Sequence, residues 1–492
     1  MAEAVAKPRQ PGMKPDPGPG ERLDARSQEP AVLSDRIAAH IVDTRFEDLG
    51  AETIAKCKHR VLDLIGCAIG GAPALGNAAL VRSVKRSGGA PEATIIGYNV
   101  KAPVAQAALA NGVISRSYDF EVMTVDMGKE QVPSHHSPTT CMTALALAER
   151  ARASGRDFIT DLTVGDDVAA RLIAASGMDF RQGWDEASVF SAMGATAIAA
   201  RALKLSPLQT RDALGICVDQ LAGTVQAAWD GAMNWKLQQG RASRDAIMSA
   251  ELAQDGWTGM MDPLLAPYGF YAQYSGGIKR PEVLSQNLGK TFYAEGYFKP
   301  YPACAATHST IECALALVKA NAIDPNAIEK ITIAVPEPLL SQFVSKPYQP
   351  RRNAHCDANF SNQFMVANVL LHGSVRQEHY AESNLRSPAL LNLVARSTNV
   401  AGRPGVASEL TVVMKDGRVF NQQRTGPTSR SPLLQPSSYE EIVAKFRQQV
   451  VFSNYMKSSV ADEIVERIDW LDREKDMADF MKLVTRDRLT SA

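Results

Sequence analysis

The sequence predicts a mainly α protein with an α+β second domain, and three observations carry that prediction. From about Ser34 to Leu288, Ala and larger apolar residues recur at three- and four-residue spacing, with almost no period-two alternation. After Leu288 alternating runs interleave with helical ones. Near the end, Ser438-Tyr439-Glu440-Glu441 is a capping box that returns the chain to helix. The expected architecture is a large discontinuous all-helical domain plus a smaller α+β lid: an extension at 1–30, helices at 31–290, the lid at 291–434 and helices again at 435–492.

Each element has a local reason. Residues 1–30 are rich in Pro, Gly and charge and lack an apolar h-region, which reads as a disordered extension and not as a targeting peptide. Helical periodicity follows at 54–70, 104–118, 139–154, 159–176, 189–203 and 211–229. Gly88-Gly89-Ala90-Pro91 and Gly276-Gly277 break it, and Ser206-Pro207 opens a helix with Pro in its first turn. Residues 92–97 give the one weak strand signal in this half. In the second half, 328–335 alternates up to Pro336, and 409–414 and 418–422 flank the hairpin signal Lys415-Asp416-Gly417. Helices are expected before and between these runs, at 307–321 and 361–372.

Bulk properties narrow the function. Lys and Arg number 53 and Asp and Glu number 53, so no global field draws the chain to nucleic acid or an anionic bilayer. The seven cysteines are scattered without a CxxC pair, which fits a reducing, cytoplasmic setting better than a disulfide framework or a zinc site. Apolar runs are interrupted too often to span a membrane.

Three stretches carry chemistry-bearing residues. Tyr118-Asp119-Phe120-Glu121 follows an Ala-rich helix, and Pro133-Ser134-His135-His136-Ser137 leads into the next one. Imidazole moves protons near neutral pH, a carboxylate orients it or acts as base, and a helix N-terminus favours an anion. The bland counterpart is a Ser cap with exposed histidines. The second stretch, Lys236 through Gly240-Arg241-Ala242-Ser243-Arg244-Asp245, offers three cations as a carboxylate clamp, or simply a solvated helix face. In the third, Tyr297-Phe298-Lys299-Pro300-Tyr301-Pro302-Ala303-Cys304 with His308, two prolines fix Lys299 and Cys304 before a helix. A thiol there is either acidified or a buried inert Cys. No metal motif and no phosphate-cradling Gly-rich loop appears.

Taken in order, these stretches resemble the MmgE/PrpD family, together with Leu62-Asp63-Leu64-Ile65-Gly66-Cys67, Ala110-Asn111-Gly112, Gly183-Trp184 and Lys415-Asp416-Gly417. The resemblance is collinear over roughly residues 34–480. It implies a helical domain with an α+β lid, a homodimer and no metal or other cofactor. It also implies a lyase acting next to a carboxylate of a di- or tricarboxylic acid, as a dehydratase/hydratase first, with decarboxylation or epimerisation as alternatives. A non-catalytic carboxylate-binding relative is the alternative from another class. Carried over residue by residue, His135, Asp119 and Lys299 are the catalytic candidates, with Arg241, Lys236, Asp185, Cys304, Arg244 and His136 around the substrate. Neither nucleic acid nor membrane is an expected partner. Asp185 stands where some relatives have His, and Trp235 stands where a Lys is usual. Both changes make the pocket less positive, so a less charged or longer carboxylate is expected.

Overall fold

The computed structural model describes residues 33–128, 130–178, 182–425 and 437–485. The extension expected at 1–30 and the boundary at 434/435 lie outside them.

Among the described residues, nine helices of eight or more residues build the first part of the body: α1 (Leu33–Asp43), α2 (Ala51–Gly71), α3 (Asn77–Ser87), α4 (Val104–Ser115), α5 (Ser137–Ala151), α6 (Gly155–Ala175), α7 (Glu186–Ala202), α8 (Pro207–Val218) and α9 (Leu237–Gln254). Helix α9 packs on α4, α7 and α8, and α7 packs on α6 and α5. The small-residue stripes explain the closeness. A Cβ on Gly240 of α9 would lie 2.1 Å from the Leu109 carbonyl oxygen of α4, and one on Gly112 would lie 2.9 Å from Gly240 Cα. Only glycine lets these backbones meet.

The body is mainly helical, as expected, and it also carries short strands. Strands β1 (Ala93–Ile95) and β2 (Val100–Ala102) form a hairpin, and β3 (Met123–Asp126), β4 (Gln131–Val132) and β5 (Glu295–Tyr297) form a sheet in the order β4-β3-β5. β1 lies on the strand signal at 92–97; the other four have two to four residues, too short to show a period of two. The single helix expected at 211–229 is also two pieces, α8 and a short turn at Gln226–Asp230. Between them Gly223 takes φ +126°, and Thr224 bridges to Trp184.

The second lobe carries a four-stranded sheet, β7-β6-β8-β9, from β6 (Ile328–Val335), β7 (Ser397–Ala401), β8 (Val406–Met414) and β9 (Val419–Thr425). β6 and β7 are parallel and the other pairs antiparallel, with Ile333 opposite Leu410. Helices α10 (His308–Ala320), α11 (Asn362–His372) and α12 (Pro388–Ala395) belong to this lobe. α10 lies on β8, β9 and α11, and the apolar residues of β6 and β8 join the lobe's own core. The chain then returns to the body: α13 (Tyr439–Ser453) opens with the expected Ser438/Glu441 capping box, packs along α2, and is followed by α14 (Ser458–Asp469). Among the described residues, no helix is long and apolar enough to cross a membrane.

Candidate active site

The site grows from the loop after α4. Asp119 takes φ 51°, a left-handed conformation that Asp tolerates better than most residues, and its N–H donates to Arg116 O at 3.1 Å. From below, Asp63 of α2 accepts the Val122 N–H at 2.9 Å. Lys445 of α13 pairs with Asp63 at 2.7 Å and donates to the Phe120 carbonyl. From the side, β3 pairs with β5, setting Met123 opposite Tyr297 and Val125 opposite Glu295. Two residues beyond β5, Lys299 is thereby delivered to the loop.

Five polar side chains converge there. Lys299 Nζ donates to Asp119 O at 2.8 Å and Oδ1 at 2.7 Å, and lies 3.5 Å from Glu121 Oε1. The Arg116 guanidinium donates to both Asp119 and Glu121. His135 Nδ1 lies 2.9 Å from Glu121 Oε1 and 3.1 Å from Arg116 Nη1. Burial would push both carboxyls up, but Arg116 and Lys299 outweigh it, holding Asp119 below and Glu121 well below the usual carboxylate range. Burial, reinforced by the same two cations, pushes His135 down against the pull of Glu121, so its imidazole is neutral near pH 7.

Ligand atoms of Asp119, Glu121 and His135 lie within 4.8 Å of one another, a donor set that a divalent ion could use. Arg116 and Lys299 already bind those carboxylate oxygens, however, so the cluster fits a metal poorly.

A cavity of about 100 Å³ opens over the cluster, with Arg116, Asp119, His135, Asp185 and Cys304 on its polar side and Trp235, Phe343 and Phe360 on its apolar side. Asp185 caps α7 by accepting the Ala187 N–H at 2.9 Å, and burial pushes its carboxyl up against the opposing pull of Arg116. Burial pushes the Cys304 thiol up to about 12, so an acidified nucleophile is not what the structure places there.

Asp119, His135, Asp185 and Cys304 thus meet in the cavity, with Lys299 fully buried behind Asp119. Four other candidates do not join them. His136 turns inward to Ser134 Oγ at 2.7 Å and toward Asp166. The anion at the N-terminus of α5 is the protein's own Glu295, which accepts from the N–H groups of His136 and Ser137 at 2.8 and 3.0 Å. Lys236 reaches away to Leu75 O, Asn77 Oδ1 and Ser117 Oγ, where burial pushes it down to about 7. Arg241 binds the Gln220 and Ala222 carbonyls and Asp245, and Arg244 also binds Asp245. Helical spacing explains the last two: Arg241 and Arg244 share the outer stripe of α9 with exposed Leu237 and Met248, while Gly240 faces α4.

Sequence reasoning passed over Arg116, gave Glu121 no role of its own and treated Trp235 only as a departure. Arg116 had a signal: a cation three residues before one acid and five before another, at the end of an otherwise apolar helix.

Comparison with known proteins decides the family. The MmgE/PrpD N-terminal domain matches residues 35–282 and the MmgE/PrpD C-terminal domain matches 301–468. The chain belongs to the MmgE/PrpD family. Among curated relatives, a cis-aconitate decarboxylase-like protein, oryM, of Aspergillus oryzae is 24% identical over 473 residues, covering 90% of this chain and 95% of its own. The cis-aconitate decarboxylase of Aspergillus terreus is 24% identical over 480 residues, covering 89% and 93%. In this MmgE/PrpD chain, Asp63 of the Leu-Asp-Leu-Ile-Gly stretch supports the loop that carries Asp119 and Glu121.

Proposed function

We propose that this chain is a lyase acting at carbon next to a carboxylate, with His135 as the proton-transfer group and loss of water as the leading reaction. The observation that carries the reading is a base and an acid lining one cavity: His135, kept neutral, and Asp185, whose burial favours the protonated carboxyl. In the forward step His135 takes the proton from the carbon beside the substrate carboxylate. The electron pair forms the C=C bond, the adjacent C–O bond breaks, and the hydroxyl leaves as water with the proton of Asp185. Arg116, which lines the cavity, faces the negative charge that develops on the carboxylate, and Lys299 behind it holds Asp119 in place.

A second reading, decarboxylation, is favoured by the named activity of the Aspergillus terreus relative. There the C–CO₂ bond breaks, its electron pair enters a conjugated alkene, and the new carbanion is protonated from the same cavity. Two cations face two carboxylates in the cluster, which supports a less charged substrate than a full tricarboxylate. Purified protein incubated in D₂O with mono-, di- and tricarboxylic acids, cis-aconitate included, separates the outcomes by mass and NMR. Water loss supports the leading reading, CO₂ release the second, and deuterium uptake alone an epimerase. Ligand binding with no conversion of any acid sinks both lyase readings.

The exposed apolar side chains Leu75, Met233, Leu237 and Met248 on and beside α9 support a homodimer through that face. The buried or half-buried unpaired cysteines support a cytoplasmic setting.

A further inference from the structure

The inner cavity shares Ala228, Phe343 and Phe360 with a second cavity of about 220 Å³. A row of aromatic rings runs from one to the other. Trp235, Phe360, Phe343 and Trp229 contact one another edge to face in that order, at 5.1, 5.2 and 5.9 Å between centroids. A cation stands over each end of the row: Arg116 lies 5.1 Å from the Trp235 ring, and Lys346 Nζ lies 4.2 Å from the Trp229 ring.

The two ends differ in charge balance. Arg116 is paired with Asp119 and Glu121, and in the outer cavity Arg351 is paired with Asp357 at 2.6 Å. Lys346 has no carboxylate partner among the described residues and is exposed. The outer cavity therefore holds one uncompensated positive charge at the far end of an apolar wall. A single carboxylate matches that charge, whereas a polyphosphate would need several cations.

We propose that Lys346 is a specificity-determining residue that binds a second carboxylate, and that the substrate is an aliphatic acid whose chain runs along the Trp235–Phe360–Phe343–Trp229 wall to reach it. The inner carboxylate rests on the lyase reading above; the outer contact does not depend on turnover.

Calorimetric titration of the full chain with α,ω-dicarboxylates tests this: succinate, suberate, dodecanedioate and hexadecanedioate, each beside the monocarboxylate of equal length. In the wild type at least one long diacid is expected to bind roughly tenfold tighter than both succinate and its own monocarboxylate. Lys346→Gln is expected to abolish that advantage while leaving monocarboxylate affinity within about twofold. Equal binding of diacids and monoacids, diacid affinity untouched by Lys346→Gln, or no binding of any long diacid overturns the proposal. A preference for long diacids that persists in His135→Ala, in a protein that converts none of the acid panel, retains the outer contact and sinks only the lyase reading.

Discussion

In the inner cluster Arg116 and Lys299 are shared between Asp119 and Glu121, so changing one member alters the partners of the others. Lys299→Met removes a fully buried ammonium and leaves Asp119 only Arg116 as counter-ion, which should cost about 3 kcal/mol of stability by denaturant titration. His135→Ala is expected to lower kcat by about 100-fold or more, because proton transfer is lost while the carboxylate contacts stay; turnover within twofold of wild type removes His135 from the mechanism. The pH dependence has a definite sign. The folded value of His135 is lowered, so the working neutral form persists below the ordinary imidazole value of about 6.5, and the acid limb of kcat/KM should fall below that pH. An acid midpoint above 7 contradicts the assignment. Because the unfolded imidazole takes its proton first, His135 also withdraws stability as pH drops below about 6.5. Asp119 and Glu121, lowered in the fold, stabilise it above their ordinary values near 4, and lose that effect as pH falls through the lowered ones. Asp185→Asn removes the proton donor to the leaving hydroxyl and should lower kcat for water loss by roughly 100-fold; turnover within twofold of wild type removes Asp185 from the mechanism.

At the level of elements, the site depends on the contact between α4 and α9. Arg116 follows the end of α4 and Trp235 precedes α9, so their mutual position is set where Gly112 meets Gly240. Gly240→Ala forces a methyl group against the Leu109 carbonyl and should cost roughly 2 kcal/mol while also reducing turnover. Unchanged stability would mean that the helices separate freely. Much of this scale was legible in the sequence. The helices from 54 to 203, the β6 strand, the β8/β9 hairpin and the capped α13 follow from periodicity and punctuation, which are local signals. Asp119, His135 and Lys299 were legible because rare chemistry-bearing residues stood in irregular backbone. What stayed hidden was long-range. Nothing in Glu295-Gly296-Tyr297 announces that it pairs with Met123–Asp126, or that Glu295 rather than substrate will cap α5. The outward direction of Arg241 and Arg244 needed only the phase of α9, set by which side Gly240 must face.

On the scale of the whole molecule, two apolar cores meet at the loop of Asp119 and Glu121, since Tyr118 and Phe120 belong to the core of the second lobe although they follow a helix of the body. The outer stripe of α9 gives the assembly a test of its own. The wild type is expected to be dimeric by light scattering, and Leu237→Glu with Met248→Glu to shift it to monomer with its helical content intact. A monomeric wild type at micromolar concentration refutes the assignment.

The return of α13 to α2 also bears on how the protein is made. During synthesis the loop of Asp119 and Glu121 leaves the ribosome more than 300 residues before Lys445, its support from below. Until then Gly66 and the rest of that α2 face, which Phe446 and Gln449 later cover, stay open to solvent. The body is therefore completed only when its C-terminal helices arrive, and the loop of Asp119 and Glu121 is among the last parts to become rigid. A chain stopped at residue 425 should emerge as an aggregation-prone, chaperone-dependent product and not as a smaller working enzyme.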